Sequence, residues 1–256
     1  LNGLFYFNIH TATYPGGEMR AQVIAVSTNL PPSLTCPAPA VAECASAATL
    51  TATVIDAEGD AMTVAWSLNG VVVQTNSIAA GAAGATNNVS LTAVFPLGTN
   101  SIGITVTDAA GNTASCDSTI TVVDTTPPVI VSTGASPNSL WPPNHKMIPV
   151  QISAVVTDAC TTATWKIASV TSNQAVNGKG DGNTSPDWQI VDNDTVKLRA
   201  ERAGNDGSRV YTITIHATDE AGNQSSATVT VTVPHDQSGK AKPAPPAKGK
   251  TTSRKR

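Results

Sequence analysis

Seven aspartates are the residues best placed to do chemistry. Asp56, Asp60 and Asp108 stand at the ends of apolar runs or in the turns that follow; Asp158, Asp181, Asp187 and Asp219 hold comparable places further along. A hard cation such as calcium takes about 6–8 oxygen ligands from carboxylates, backbone carbonyls and water. Carboxylates gathered where strands end can supply that set. Asp158 and Asp219 each close an alternating run, which predicts that they share one pole of a sandwich. Gly180-Asp181-Gly182-Asn183 adds a segment able to turn tightly. No EF-hand spacing is present. The competing use of these residues is the Asx turn, in which Asp or Asn caps its own turn. That is the simpler account of each aspartate taken singly, and the expected role of Asn112 and Asn223.

Other chemistries find less support. Glycoside hydrolysis needs two carboxylates about 5 or 9 Å apart across a cleft, and nothing selects such a pair. The serines have no nucleophile-elbow context for a Ser/His/Asp triad. His145 follows the rigid Trp141-Pro142-Pro143 run and reads as a loop anchor, and His10 in the first hairpin reads likewise. The cysteines Cys36, Cys44, Cys116 and Cys160 form no CxxC pair, so no zinc site is expected. Trp66 lies mid-strand, where sandwiches bury a tryptophan. Trp141 and Trp188 lie in or beside loops and are the candidates for stacking on a sugar; packing against the proline-rich loop is the alternative. The reading is therefore non-enzymatic, with no required cofactor and calcium as the cation a site would take.

The elements that must position these residues are strands. Threonine occurs 35 times in 256 residues, and Val and Ile fill many of the apolar runs; β-branched side chains suit a pleated, half-buried surface. No apolar stretch is long enough for a transmembrane helix. The net charge of −3 is uneven: residues 1–235 carry 8 basic and 17 acidic groups, and residues 236–256 carry 7 basic and 1 acidic. An acidic body argues against nucleic acid. The chain lacks an initiating Met and opens inside a β-pattern, so we expect a piece of a longer protein.

Residues 1–26 read as a β-hairpin around Tyr14-Pro15-Gly16-Gly17. Residues 27–33 read as a linker. Residues 30–124 hold six alternating runs separated by turn signals such as Leu68-Asn69-Gly70, the pattern of a β-sandwich. Asp124-Thr125-Thr126-Pro127-Pro128 reads as a boundary stiffened by its prolines. Residues 129–235 hold a second set of runs. An internal repeat supports two tandem modules: Val106-Thr107-Asp108-Ala109-Ala110-Gly111-Asn112 matches Ala217-Thr218-Asp219-Glu220-Ala221-Gly222-Asn223. Residues 236–256, rich in Lys, Pro, Ala and Gly, read as a disordered basic tail.

Tyr6-Phe7-Asn8-Ile9-His10-Thr11 with Pro15-Gly16-Gly17-Glu18-Met19-Arg20 resembles the C-terminal end of a chordin-type CHRD domain, departing from it at Ala21. Residues 30–128 resemble the hyalin-repeat (HYR) and PKD-like immunoglobulin-fold modules, carried by Cys36-Pro37, Gly59-Asp60, Trp66, Pro96-Leu97-Gly98, Asp108 to Asn112, Cys116 and Asp124 to Pro128. Residues 138–236 resemble a module of bacterial surface proteins, carried by Leu140-Trp141-Pro142-Pro143-Asn144-His145-Lys146, Pro186-Asp187-Trp188 and Leu198-Arg199-Ala200-Glu201-Arg202.

The resemblance pairs Cys36 with Cys116. Cys44 competes for either partner, and Cys160 is expected to be unpaired. The resemblances also imply a secreted bacterial surface protein, with these modules as spacers and interaction domains. The partner would be an extracellular protein or a polysaccharide, and the tail could touch anionic cell-surface polymer. The alternative is an accessory carbohydrate-binding module of a secreted hydrolase.

Overall fold

The computed structural model describes residues 6–17, 19–22, 29–178, 182 and 184–236. The described residues are strands and their connections, and they fall into two compact units, 1–123 and 124–256. The N-terminal unit begins with a short antiparallel pair, β1 (Tyr6–Ile9) and β2 (Met19–Gln22), in register from Tyr6 opposite Gln22 to Ile9 opposite Met19. Gly17 N–H donates to Tyr14 O (3.1 Å) in the turn between them.

Its sandwich follows as β3 (Ser33–Thr35), β4 (Ala40–Glu43), β5 (Ala47–Ile55), β6 (Met62–Leu68), β7 (Val71–Ile78), β8 (Thr86–Val94), β9 (Gly98–Asp108) and β10 (Thr113–Val123). One sheet has the order β3-β5-β8 and the other β4-β10-β9-β6-β7. All pairings are antiparallel except β4 with β10. This is an immunoglobulin-like sandwich.

Alternation builds it. Along β5, Leu50, Ala52 and Val54 face inward, while Thr49, Thr51 and Thr53 face out and bond across to Thr92, Ser90 and Asn88 at 2.8, 2.8 and 3.0 Å. Met62, Val64, Ile102, Ile104, Val106, Ile120 and Val122 complete the core around Trp66, which is fully buried and donates from Nε1 to Asn76 Oδ1 (3.1 Å). The β6–β7 turn is Asn69-Gly70 with both φ positive, +49° and +86°. That two-residue geometry matches the twist of the strands and selects Asn-Gly.

A disulfide joins Cys36 to Cys116. Cys44 and Cys160 are disulfide-bonded as well, and no cysteine is free. The expectation of an unpaired Cys160 is corrected. That expectation rested on the absence of another cysteine nearby in sequence, whereas pairing depends on proximity in space.

The C-terminal unit is a second sandwich: β11 (Val129–Ser136), β12 (Met147–Thr157), β13 (Ala163–Ser172), β14 (Trp188–Ile190), β15 (Thr195–Arg199), β16 (Arg209–Asp219) and β17 (Gln224–Val233). Its sheets are β11-β12-β15-β14 and β13-β16-β17. Val150, Ile152, Val196 and Leu198 from the first meet Ile167, Val170, Ile213, Ile215, Val231 and Val233 from the second. β15 ends at Arg199, opposite Met147 where β12 begins, and Glu201 just beyond it enters a buried ion network. β11 is not signalled by the sequence: its Ser-Thr-Gly-Ala-Ser half has no apolar alternation, and its register shifts between Ile130 and Ser132. The basic tail from residue 237 onward lies outside the described residues.

Replacing Cys36 and Cys116 together by serine removes an 80-residue closure. It should lower the unfolding free energy of the N-terminal unit by about 4 kcal/mol through the unfolded chain, read as a fall in urea midpoint of the Trp66 fluorescence transition.

Candidate metal centre

Where strands stop, backbone N–H groups lose their ladder partners and need other acceptors. In the C-terminal unit aspartates supply them. Asp158, after β12, accepts from Cys160 N (2.8 Å) and Thr161 N (2.9 Å) at Oδ1. Asp219, ending β16, accepts from Asn223 N (2.8 Å) at Oδ1 and from Asn223 Nδ2 (2.9 Å) at Oδ2. Asp124 accepts from Thr126 N (3.2 Å) and from Thr161 Oγ1 (3.0 Å), and its carbonyl accepts from Asn223 Nδ2 (3.1 Å).

These turns draw three carboxylates together. Oxygens of Asp124, Asp158 and Asp219 lie within 4.8 Å of one another. Asp124 is 9% and Asp219 7% exposed, and Asp158 Oδ2 is buried without a hydrogen-bond partner. Burial raises the pKa of Asp219, but the Asn223 side chain and the backbone N–H groups of residues 221–223 outweigh it and hold the carboxyl below its ordinary 3.8. Three anionic groups at such separation repel in a medium of reduced dielectric, and a hard cation bound by their oxygens would reverse the sign of that term.

The other sequence candidates are distributed as follows. Asp181 lies outside the described residues. Asp187 is 1% exposed and ion-paired to Arg209 through Oδ2, away from the Asp124, Asp158 and Asp219 group. In the N-terminal unit Asp108 repeats the Asp219 turn, accepting from Ala110 N, Asn112 N and Asn112 Nδ2 at 2.8–2.9 Å. Burial raises its pKa, and Asn112 with the turn N–H groups brings it below 3.8. Asn29 Nδ2 donates to the same carboxylate (3.0 Å). Asp56 accepts from Glu58 N (3.1 Å) and Asp60 N (2.8 Å) at Oδ1.

The sequence did not single out Asp124. The available signal was an Asp two residues before a backbone N–H in need of a cap, at the start of a sandwich.

The remaining motifs of the C-terminal unit converge on Arg209. It is fully buried, and donates to Glu201 Oε1 (3.3 Å), Ser172 Oγ (2.9 Å) and Asp187 Oδ2, with its guanidinium 4.8 Å from the centre of the Tyr211 ring. Arg199 donates to Pro186 O (3.0 and 2.7 Å) and His145 O (2.8 Å). His145, at φ +62°, sets Nδ1 3.2 Å from Glu201 Oε2. Gly182 lies over its ring: a Cβ there would sit 2.7 Å from the imidazole. Tyr211 donates to Arg199 O (2.8 Å), and burial pushes its phenol well above the ordinary value, so it stays protonated. Trp188 packs edge-on against Tyr211 (6.2 Å), whereas Trp141 is 44% exposed. The network pins three loops to the sheets.

The fold and the acidic pole define a class: immunoglobulin-like β-sandwich modules in series. Within it, residues 28–122 match the HYR domain family. No curated protein matches the chain. Among solved structures, it is similar to the fibronectin(III)-like modules of Clostridium thermocellum CbhA, at 20% identity over 36% of this chain and 97% of that one, TM-score 0.29. It is also similar to the SrpA adhesin of Streptococcus sanguinis, at 16% identity over 52% and 94%, TM-score 0.32. A third is Bacteroides ovatus SGBP-B in complex with a mixed-linkage heptasaccharide, at 15% identity over 79% and 48%, TM-score 0.28.

Arg209→Met leaves Asp187 and Glu201 buried without their shared cation. The expected loss is about 3–5 kcal/mol of stability in the C-terminal unit, measured by urea unfolding; a loss under about 1 kcal/mol would show that the two carboxylates do not depend on it.

Proposed function

We propose that this chain is a non-enzymatic structural and adhesive part of a secreted modular surface protein, a spacer whose C-terminal sandwich is stiffened by calcium. The observation that carries the reading is the gathering of Asp124, Asp158 and Asp219 within 4.8 Å, with one buried carboxylate oxygen unpartnered. Four disulfide-bonded cysteines favour an oxidising, extracellular location. Among the described residues no helix is long and apolar enough to cross a membrane. Within this proposal residues 1–26 stay the end of a CHRD-like domain, on the sequence resemblance alone. Loops on so rigid a scaffold are where a protein partner would be met.

Thermal unfolding of the oxidised chain in 1 mM calcium, then in excess chelator, tests the cation. A site with a dissociation constant near ~10 μM adds about 2.7 kcal/mol at that concentration, a rise of roughly 10 °C or more for a domain of about 100 residues. Asp158→Asn keeps the Oδ1 acceptor for the turn and should abolish the rise of the C-terminal unit's transition. No rise in the parent protein returns the three carboxylates to turn capping alone.

The half-exposed Trp141 indole favours a second reading, contact with a polysaccharide. Trp188 does not, since it packs on Tyr211. Affinity electrophoresis through gels containing β-glucan should show retardation that Trp141→Ala removes; equal mobility with and without glucan would end this reading.

A further inference from the structure

We propose that the N-terminal sandwich holds a hard-cation site of its own, centred on Asp56 and separate from the acidic pole of the C-terminal unit. The place is a small cavity, about 40 Å³, between the β5–β6 turn and the β7–β8 connection. Asp56, Gly59, Asp60, Gly81 and Asn87 are among the residues that line it. A volume of that order holds one ion or one water.

Asp56 is 1% exposed. Its Oδ1 is used by the N–H groups of Glu58 and Asp60, but its Oδ2 is buried and has no hydrogen-bond partner. An ionised oxygen in that state is strongly unfavourable unless a positive charge faces it. The chain cannot supply one locally. From residue 29 to residue 123 there is no Lys, no Arg and no His, while Glu43, Asp56, Glu58, Asp60, Asp108 and Asp117 are all acidic. The C-terminal unit neutralises its own buried Asp187 with Arg209; the N-terminal sandwich has no basic side chain to do the same. A cation from solution can supply that charge.

The walls suit an oxygen-seeking ion. Asp60 and Asn87 bring further side-chain oxygens, and the two loops are locked at backbone distance by Gly81 N to Gly59 O (2.9 Å) and Gly84 N to Asp56 O (2.8 Å). Gly59, at φ +80°, is required there: a Cβ would stand 2.5 Å from Gly81 O. Asp108 is not the centre, because Asn29, Asn112 and Ala110 already donate to both of its oxygens. Carboxylate, amide carbonyl and backbone oxygens form the donor set of calcium rather than of zinc or copper.

The test is the number of calcium ions bound by the full oxidised chain in equilibrium dialysis with radioactive calcium. The expected count is two for the parent protein, one for Asp56→Asn, one for Asp158→Asn and none for both together. Two ions bound to Asp56→Asn would overturn the proposal. If Asp158→Asn leaves the count unchanged and Asp56→Asn lowers it by one, the C-terminal site fails and this one stands; the reverse pattern sinks this one alone. Near-UV circular dichroism of Trp66 checks that the variants fold. If Asp56→Asn does not fold, Asp60→Asn, which leaves the Asp56 hydrogen bonds in place, should weaken one of the two sites about tenfold; unchanged affinity at both would overturn the proposal.

Discussion

Everything at the poles of these sandwiches follows from one constraint: a strand that ends leaves backbone N–H groups without acceptors. Within the sheets the ladders satisfy them. At the ends Asp56, Asp108, Asp158 and Asp219 do so, each bonding N–H groups two to four residues ahead. A carboxylate is a stronger acceptor than a neutral oxygen, which favours aspartate there. The same choice concentrates negative charge where the sheets converge, and the protein must then manage that charge.

The two units manage buried charge differently. The C-terminal sandwich brings arginine inside. Arg209 and Arg199 knit Asp187, Glu201 and His145 into one network, whose worth lies in specificity of loop placement more than in net stability, because desolvating both partners offsets much of their attraction. The N-terminal sandwich uses no basic residue between 29 and 123 and fixes its first and last strands covalently, through Cys36–Cys116. A disulfide acts mainly by restricting the unfolded chain, so it leaves the electrostatics of the folded poles untouched.

The strands were largely legible in the sequence, since alternation with a period of two is the direct imprint of a half-buried sheet. Asn69-Gly70 announced its turn, and Trp66 its burial. Asp158 and Asp219 could be set at one end of a sandwich because each closes an alternating run. Asp124 was not legible as their companion: its neighbours Thr125-Thr126-Pro127-Pro128 read as a linker, and the signal of a linker masks that of a cap. Arg209 was hidden for a different reason. It opens an alternating strand in phase with the inward-facing Tyr211, Ile213 and Ile215, but nothing in the sequence shows that Glu201 and Asp187 meet it there. Asp187 stands beside Pro186 and Trp188, which place it at a strand end like the others without showing that an arginine meets it there.

The repeat itself explains why the poles can diverge. Asp108 to Asn112 and Asp219 to Asn223 solve the same turn with the same bonds, down to an asparagine amide at 2.9 Å from the aspartate Oδ2. What differs is the residue that approaches from the preceding segment. In the N-terminal unit it is Asn29, a neutral side chain that donates to the Asp108 carboxylate and quiets it. In the C-terminal unit it is Asp124, a second acid, which adds charge to the Asp219 carboxylate. An amide donor closes the site with hydrogen bonds alone. A carboxylate in that position sets a second acid beside Asp219, whose own carboxyl the Asn223 side chain and the turn N–H groups hold below its ordinary value. Donor or acceptor at the entry of a sandwich therefore decides whether the turn aspartate meets an amide or a second carboxylate.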